Sequence, residues 1–211
     1  MHTELVFVLD KSGSMAGLEK DTVGGYNSIL KKQLVGEGTV TITTVLFDHD
    51  IELLHDRLPV DAVELLTEND YVVGGMTALM DAVGFAINKI DKVQQSIKNS
   101  KQADKVLFVI TTDGMENSSK KYSAQQIKSL ITAHKEKGWE FLFLGANIDV
   151  EKFASSIGIS EEHAVEYIAD EVGTYRNFEV LNETVSTVRQ GHKITRGWKK
   201  TIEEDAKTRI K

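Results

Sequence analysis

Three short runs of almost wholly apolar residues constrain this chain more than anything else in it: Leu5–Leu9 (LVFVL), Lys105–Ile110 (KVLFVI) and Trp139–Leu144 (WEFLFL). None alternates apolar with polar. That is the pattern of a strand buried on both faces, as in a parallel sheet. Between the runs the apolar spacing turns helical. Val23, Tyr26, Ile29, Leu30 and Leu34 mark a helix over Glu19–Leu34, and Leu79, Ala82, Val83, Ala86, Ile87, Ile90 and Val93 mark one running to about Gln95. Ser123–Gln126 is a capping-box pattern opening a third helix that ends at Gly138. Val150–Ile157 and Thr174–Val188 complete the set, with a short alternating strand at Ala164–Ile168 between them. Strands and helices in alternation predict an α/β fold, a doubly wound, Rossmann-like open sheet with helices on both faces. Thr39–Phe47 and Ile51–Leu54 are separated only by Asp48-His49-Asp50. So short a connection makes that pair antiparallel, so the sheet is mostly parallel with one antiparallel edge strand. Asp61–Leu66 carries a short helical pattern, and Gly24-Gly25 is expected to let its helix pack closely on the sheet.

The chain of 211 residues fits one large domain, residues 1–190, better than two small ones. Residues 191–211 lack a clear period and read as a docked extension or a tail, with a solvated tail as the default for so basic a segment. The last twenty residues carry seven Lys/Arg and three Asp/Glu, a net +4, which leaves −11 on the rest of a chain whose total is −7. An acidic body argues against general nucleic-acid binding and is compatible with attracting cations. The absence of cysteine excludes disulfides and thiolate metal sites and favours a reducing compartment. No run approaches the ~20 apolar residues of a membrane span, and the first residues do not form a signal peptide. The expectation is a soluble, cytoplasmic protein, monomeric on its own.

Where the apolar runs end, acids stand. Leu5–Leu9 gives way to Asp10-Lys11-Ser12-Gly13-Ser14, and Lys105–Ile110 to Thr111-Thr112-Asp113-Gly114. In open α/β sheets ligands bind outside the carboxyl ends of the strands. Oxygen donors without sulfur suit Mg²⁺, Ca²⁺ or Mn²⁺. Gly74-Gly75-Met76-Thr77 adds a hydroxyl after a glycine-rich loop. Together the D-x-S-x-S, the loop threonine and the T-D-G, in that order and each at a strand or helix end, resemble a von Willebrand factor type A domain from about Glu4 to Val188. The resemblance implies that the first and fourth strands lie side by side at the centre. It also implies a metal-ion-dependent adhesion site (MIDAS) with Asp10, Ser12, Ser14, Thr77 and Asp113 as ligands, the two acids acting largely through bound water. It implies a non-enzymatic module in which Mg²⁺ takes a carboxylate from an Asp or Glu of a partner protein. Intracellular bacterial members of the family look like parts of larger assemblies, the type expected here.

Other residues are weighed against that set. Glu116 reads as an exposed loop acid rather than a ligand. Asp81, one turn after Thr77, either hydrogen-bonds to the site or is a solvated helix residue. Asp48, His49, Asp50 and His55 have a metal-like composition, but an Asp-rich hairpin tip is usually a turn. His134 is expected at the surface or half-buried, and His2, His163 and His192 show no partner pattern. The alternative activity is a metal-dependent phosphohydrolase with Asp10 as nucleophile, for which Ser12 stands where a second Asp is required. No G-x-x-x-x-G-K-[ST] and no G-x-S-x-G is present.

Overall fold

Nine residues in extended conformation, His2–Asp10, form the central strand β1 of a computed structural model that describes residues 1–209. Its side chains alternate between two cores. Leu5, Phe7 and Leu9 face one and Val6 and Val8 the other, all fully buried. The double burial explains the unbroken apolar run. The other strands are β2 (Thr39–Phe47), β3 (Ile51–Pro59), β4 (Lys105–Thr112), β5 (Glu140–Gly145) and β6 (Ala164–Glu166), in the order β3-β2-β1-β4-β5-β6. All neighbours run parallel except β3 against β2. This is the expected mostly parallel sheet with one antiparallel edge strand. The chain order reverses between β1 and β4, with Leu5 level with Leu107 and Leu9 with Thr111, so Asp10 and Asp113 emerge on neighbouring strands at the crevice.

Helices α1 (Glu19–Gln33) and α5 (Glu171–Arg189) cover one face, and α2 (Leu79–Ser96), α3 (Ala124–Glu136) and α4 (Val150–Ser156) the other. Each buried Leu, Ile, Val or Phe side chain contributes ~1.5–3 kcal/mol. Ser123 forms the expected reciprocal capping box with Gln126, and Gly138 takes φ +87° after α3. Among the described residues no helix is long and apolar enough to cross a membrane.

Three expectations need correction. Gly25 does not serve packing on the sheet. A Cβ there would lie 2.1 Å from the Phe178 ring of α5, so the glycine admits a neighbouring helix, while Gly24 faces open space. The helical pattern over Asp61–Leu66 yields only a single 3₁₀ turn at Val60–Ala62. Asn27 holds the chain beyond it, its Nδ2 donating to Leu66 O (2.8 Å) and its Oδ1 accepting from Leu66 N (2.9 Å). Of the two alternatives for the C-terminal segment, its described residues show the docked extension and not the solvated default. Trp198 Nε1 donates to Glu162 O (2.8 Å), and the buried Lys199 Nζ to Glu161 O and Ala164 O (2.8 and 2.9 Å). Helix α6 (Lys200–Arg209) then buries Ile202 in the α1/α5-side core. A basic segment looked solvated because its charge count hid one lysine that satisfies two carbonyls.

Candidate metal centre

The apolar run of β1 delivers Asp10 to the carboxyl end of the sheet with 0% of its surface exposed. Oδ1 accepts from Ser12 N (2.7 Å) and Oδ2 from Thr112 Oγ1 (2.5 Å), while the Tyr71 hydroxyl donates to its carbonyl. Burial raises its pKa to about 6 against the opposing effect of the Thr112 and Ser12 hydrogen bonds, and the charge of Asp113 adds to the rise. Asp113, also buried, is raised by burial against a hydrogen bond from Ser14. Lys11, the nearest cation in sequence, is turned away onto Glu52 (2.7 Å). Among the described residues no Lys, Arg or His side chain pairs with either acid.

The loop after β1 makes a 3₁₀ turn at Gly13–Met15, which brings Ser12 Oγ and Ser14 Oγ to 3.1 Å. Ser14 Oγ donates to Asp113 Oδ1 (2.5 Å), closing the gap between β1 and β4. The glycine-rich loop is stitched to the same turn by Gly13 N to Gly75 O (3.1 Å) and Gly74 N to Lys11 O (2.9 Å). Thr77 is then fixed to the loop after β4. Its N–H donates to Asn117 Oδ1 (2.9 Å), and its carbonyl accepts from Asn117 N and Ser118 N (3.0 and 3.2 Å). A Cβ on Gly114 would lie 2.8 Å from Ser14 Oγ and 3.2 Å from Thr77 Oγ1. Both hydroxyls therefore converge beside Gly114, and only glycine leaves that space open. Asp10, Ser12, Ser14, Thr77 and Asp113 thus lie together, carried by three loops of one sheet end. Their donors are all oxygen, and the two buried carboxylates lack a balancing cation among the described residues. That fits a hard divalent cation.

Glu116 does more than the exposed loop acid expected of it, and of the two alternatives for Asp81 the hydrogen-bonded one is observed, its bonds going to the loop beyond Asp113. Glu116 Oε1 accepts from Ser118 N and Ser119 N, and Oε2 from Met80 N and Ser119 Oγ. It therefore ties one free N–H at the start of α2, that of Met80, to the Asp113 loop. Asp81 is buried and accepts from Lys120 N, Lys121 N and Tyr122 N, each at 2.9 Å. Both acids satisfy backbone and hold Thr77 and Asp113 in register. Two further residues hold the site, Thr112 and Tyr71. Thr112 is the threonine of the T-D-G motif, whose role as donor to Asp10 the motif alone does not show, and nothing local in the sequence points to Tyr71.

Asp48, His49 and Asp50 bring ligand atoms within 4.8 Å of one another. Asp48 Oδ1 also accepts from Asp50 N (2.7 Å), a turn's own hydrogen bond. His55 does not join them. It is buried against Tyr26, its Nδ1 3.1 Å from both Tyr26 OH and Thr44 Oγ1. His134 is buried rather than superficial, with Nδ1 2.7 Å from Leu130 O and Nε2 3.1 Å from Asp91. His2 meets Thr41 and His163 meets Ser160.

No family model and no curated protein matches the sequence. Solved structures do. The vWF domain of the type V pili tip protein Mfa5 from Porphyromonas gingivalis aligns with a TM-score of 0.65 at 13% identity, over 87% of this chain and 94% of that one. Proximal thread matrix protein 1 (PTMP1) from the mussel byssus aligns with a TM-score of 0.61 at 14% identity, over 88% of this chain. The chain spans 46% of the mussel protein's length. The manganese-loaded TRAP protein of Plasmodium vivax aligns with a TM-score of 0.56 at 15% identity, over 83% of this chain and 71% of that one. At these identities the likeness establishes the architecture: the chain has the fold of a von Willebrand factor type A domain.

Proposed function

We propose that the protein is a metal-dependent protein-binding module whose cation is held by Asp10, Ser12, Ser14, Thr77 and Asp113. The observation that carries this reading is the convergence of those five oxygen-bearing side chains, two of them buried carboxylates that no cation among the described residues pairs with. Ser14 is exposed while Asp10 and Ser12 are not, so the cluster opens outward through its hydroxyl side. When bound, a divalent cation there would keep much of its charge uncompensated and accept an outside carboxylate in place of water. Mg²⁺ is the expected ion, and Ca²⁺ or Mn²⁺ would also suit the donors. A mussel PTMP1 structure of this fold has a zinc-occupied MIDAS motif (TM-score 0.59, 15% identity, over 88% of this chain and 46% of that one), and the TRAP structure is manganese-loaded. They support a divalent site without choosing the metal. We place the module in a cytoplasmic multi-protein assembly, with a partner that presents Asp or Glu.

Phosphohydrolysis through Asp10 is the weaker reading. A nucleophile must reach its substrate, yet Asp10 is fully buried and both its oxygens already accept hydrogen bonds. Calorimetric titration with MgCl₂ tests the leading reading. Saturable binding is expected in the full chain and should vanish in Asp113→Ala. Mg²⁺-dependent turnover of a phosphate ester that disappears in Asp10→Ala would sink the binding-module reading.

A further inference from the structure

Several of the exposed large apolar side chains are not scattered. Met76 (54% exposed) and Met115 (70%) immediately flank Thr77 and Gly114. Thr77 O accepts from Asn117 N and Ser118 N, so the two methionines leave one junction beside the cluster. Val72, 64% exposed, sits on the loop that continues into Gly74. Exposed apolar groups on the rim of a polar site mark a contact surface, and methionine adapts to irregular partners.

On the other side of Val72 opens a cavity of about 680 Å³, which Tyr71, Val72 and Val73 line. Tyr71, which lines the cavity, donates its hydroxyl to the Asp10 carbonyl, so the cavity wall reaches the end of β1. Glu19, Asp21, Glu68 and Glu171 line it against a single Lys20. A lone carboxylate approaching this end of the sheet meets repulsion from those acids. A partner complementary to the surface carries a positive charge next to its acid.

Resting on the metal-dependent reading above, we infer that the partner presents its carboxylate within a segment that also bears aliphatic side chains and a Lys or Arg. The aliphatic groups seat on Met76 and Met115, and the cation enters the acidic cavity beside Tyr71. The surface selects for composition around the acid, where a bare cation site would accept any carboxylate.

The test is to pan a displayed random-peptide library on the full chain in Mg²⁺, with a parallel arm in EDTA. Mg²⁺-dependent clones should carry one acid with neighbouring Leu, Ile or Val and a Lys or Arg. Their affinity should fall roughly tenfold for Met76→Ser/Met115→Ser, whose altered residues are not metal ligands, with Mg²⁺ titration of that variant as the folding control. Glu68→Gln/Glu171→Gln should remove the preference for Lys or Arg. Mg²⁺-dependent clones with acidic or Gly/Ser-rich flanks, or a double-methionine variant that binds them as wild type does, would overturn the inference. Clones that ignore EDTA yet still require the methionines would sink the metal-dependent reading and leave this surface standing.

Discussion

Strand β1 carries two fully buried acids, Glu4 near its start and Asp10 at its end, and the fold treats them in opposite ways. Glu4 is answered from within. Arg57 Nε donates to its Oε2 (2.8 Å), and Arg57 adopts φ +49°, a left-handed conformation that costs roughly 1–2 kcal/mol. Among the described residues Asp10 receives hydrogen bonds from two hydroxyls and one amide and from no cation. Burial lifts both acids above the usual carboxylate range, though Arg57 opposes the rise at Glu4. Among the described residues the fold supplies a strained arginine to one end of the strand and no paired cation to the other, the contrast on which the proposed metal site rests.

The largest way to break this comparison is at the paired end. Arg57→Ala leaves Glu4 buried without its partner and should cost about 3–5 kcal/mol in urea unfolding. A loss under about 0.5 kcal/mol would mean that water already serves Glu4. Next comes the unpaired end. Mg²⁺ at a hundredfold excess over its Kd should stabilise the protein by ~2.7 kcal/mol, roughly 5–10 °C in Tm for a chain of this size. Identical melting in chelator and in millimolar Mg²⁺ would equate the two ends. A smaller but sharper effect comes from the same acid-to-amide change at both. In chelator, Glu4→Gln should melt below wild type because Arg57 loses its counter-charge. Asp10→Asn should melt at or slightly above wild type, since it removes an uncompensated charge, and it should abolish the Mg²⁺ response. Equal signs in chelator would break the contrast. The smallest effect is in pH. Because burial raises the Glu4 pKa, its contribution is full below the ordinary glutamate value and is lost as pH rises through the native one. Wild-type stability should therefore decline with pH across that window more steeply than that of Glu4→Gln, measured as the difference between their unfolding midpoints.

How much of this was readable in the sequence follows from what each residue answers to. β1, β4 and β5 were legible because double-sided burial writes itself as an unbroken apolar run. The five clustered side chains were legible because a strand end, a glycine turn and a second strand end each leave a local mark. Residues that serve distant backbone were not. The role of Asp81 depends on three N–H groups some forty positions later, and that of Glu116 on the start of a helix behind it. Gly25 answers to Phe178, and Lys199 to two carbonyls that no charge count could locate. The shared cause is hydrogen-bond and steric accounting across long chain separations, which periodicity does not record.

The hydrogen bond from Ser14 to Asp113 joins positions ninety-nine residues apart, and Thr77 stands between them in sequence. No short stretch of this chain holds the whole cluster, so an unfolded or half-zipped chain offers a cation little to grip. The cluster is complete only after β1 and β4 have paired and the helix between them has docked, late in a search made slow by its long loops. An ion that recognises only the finished arrangement leaves the rate of folding almost untouched and slows the rate of escape from it. On the proposed reading, a metal bound in this chain would act as a latch on a closed door rather than a hand that closes it.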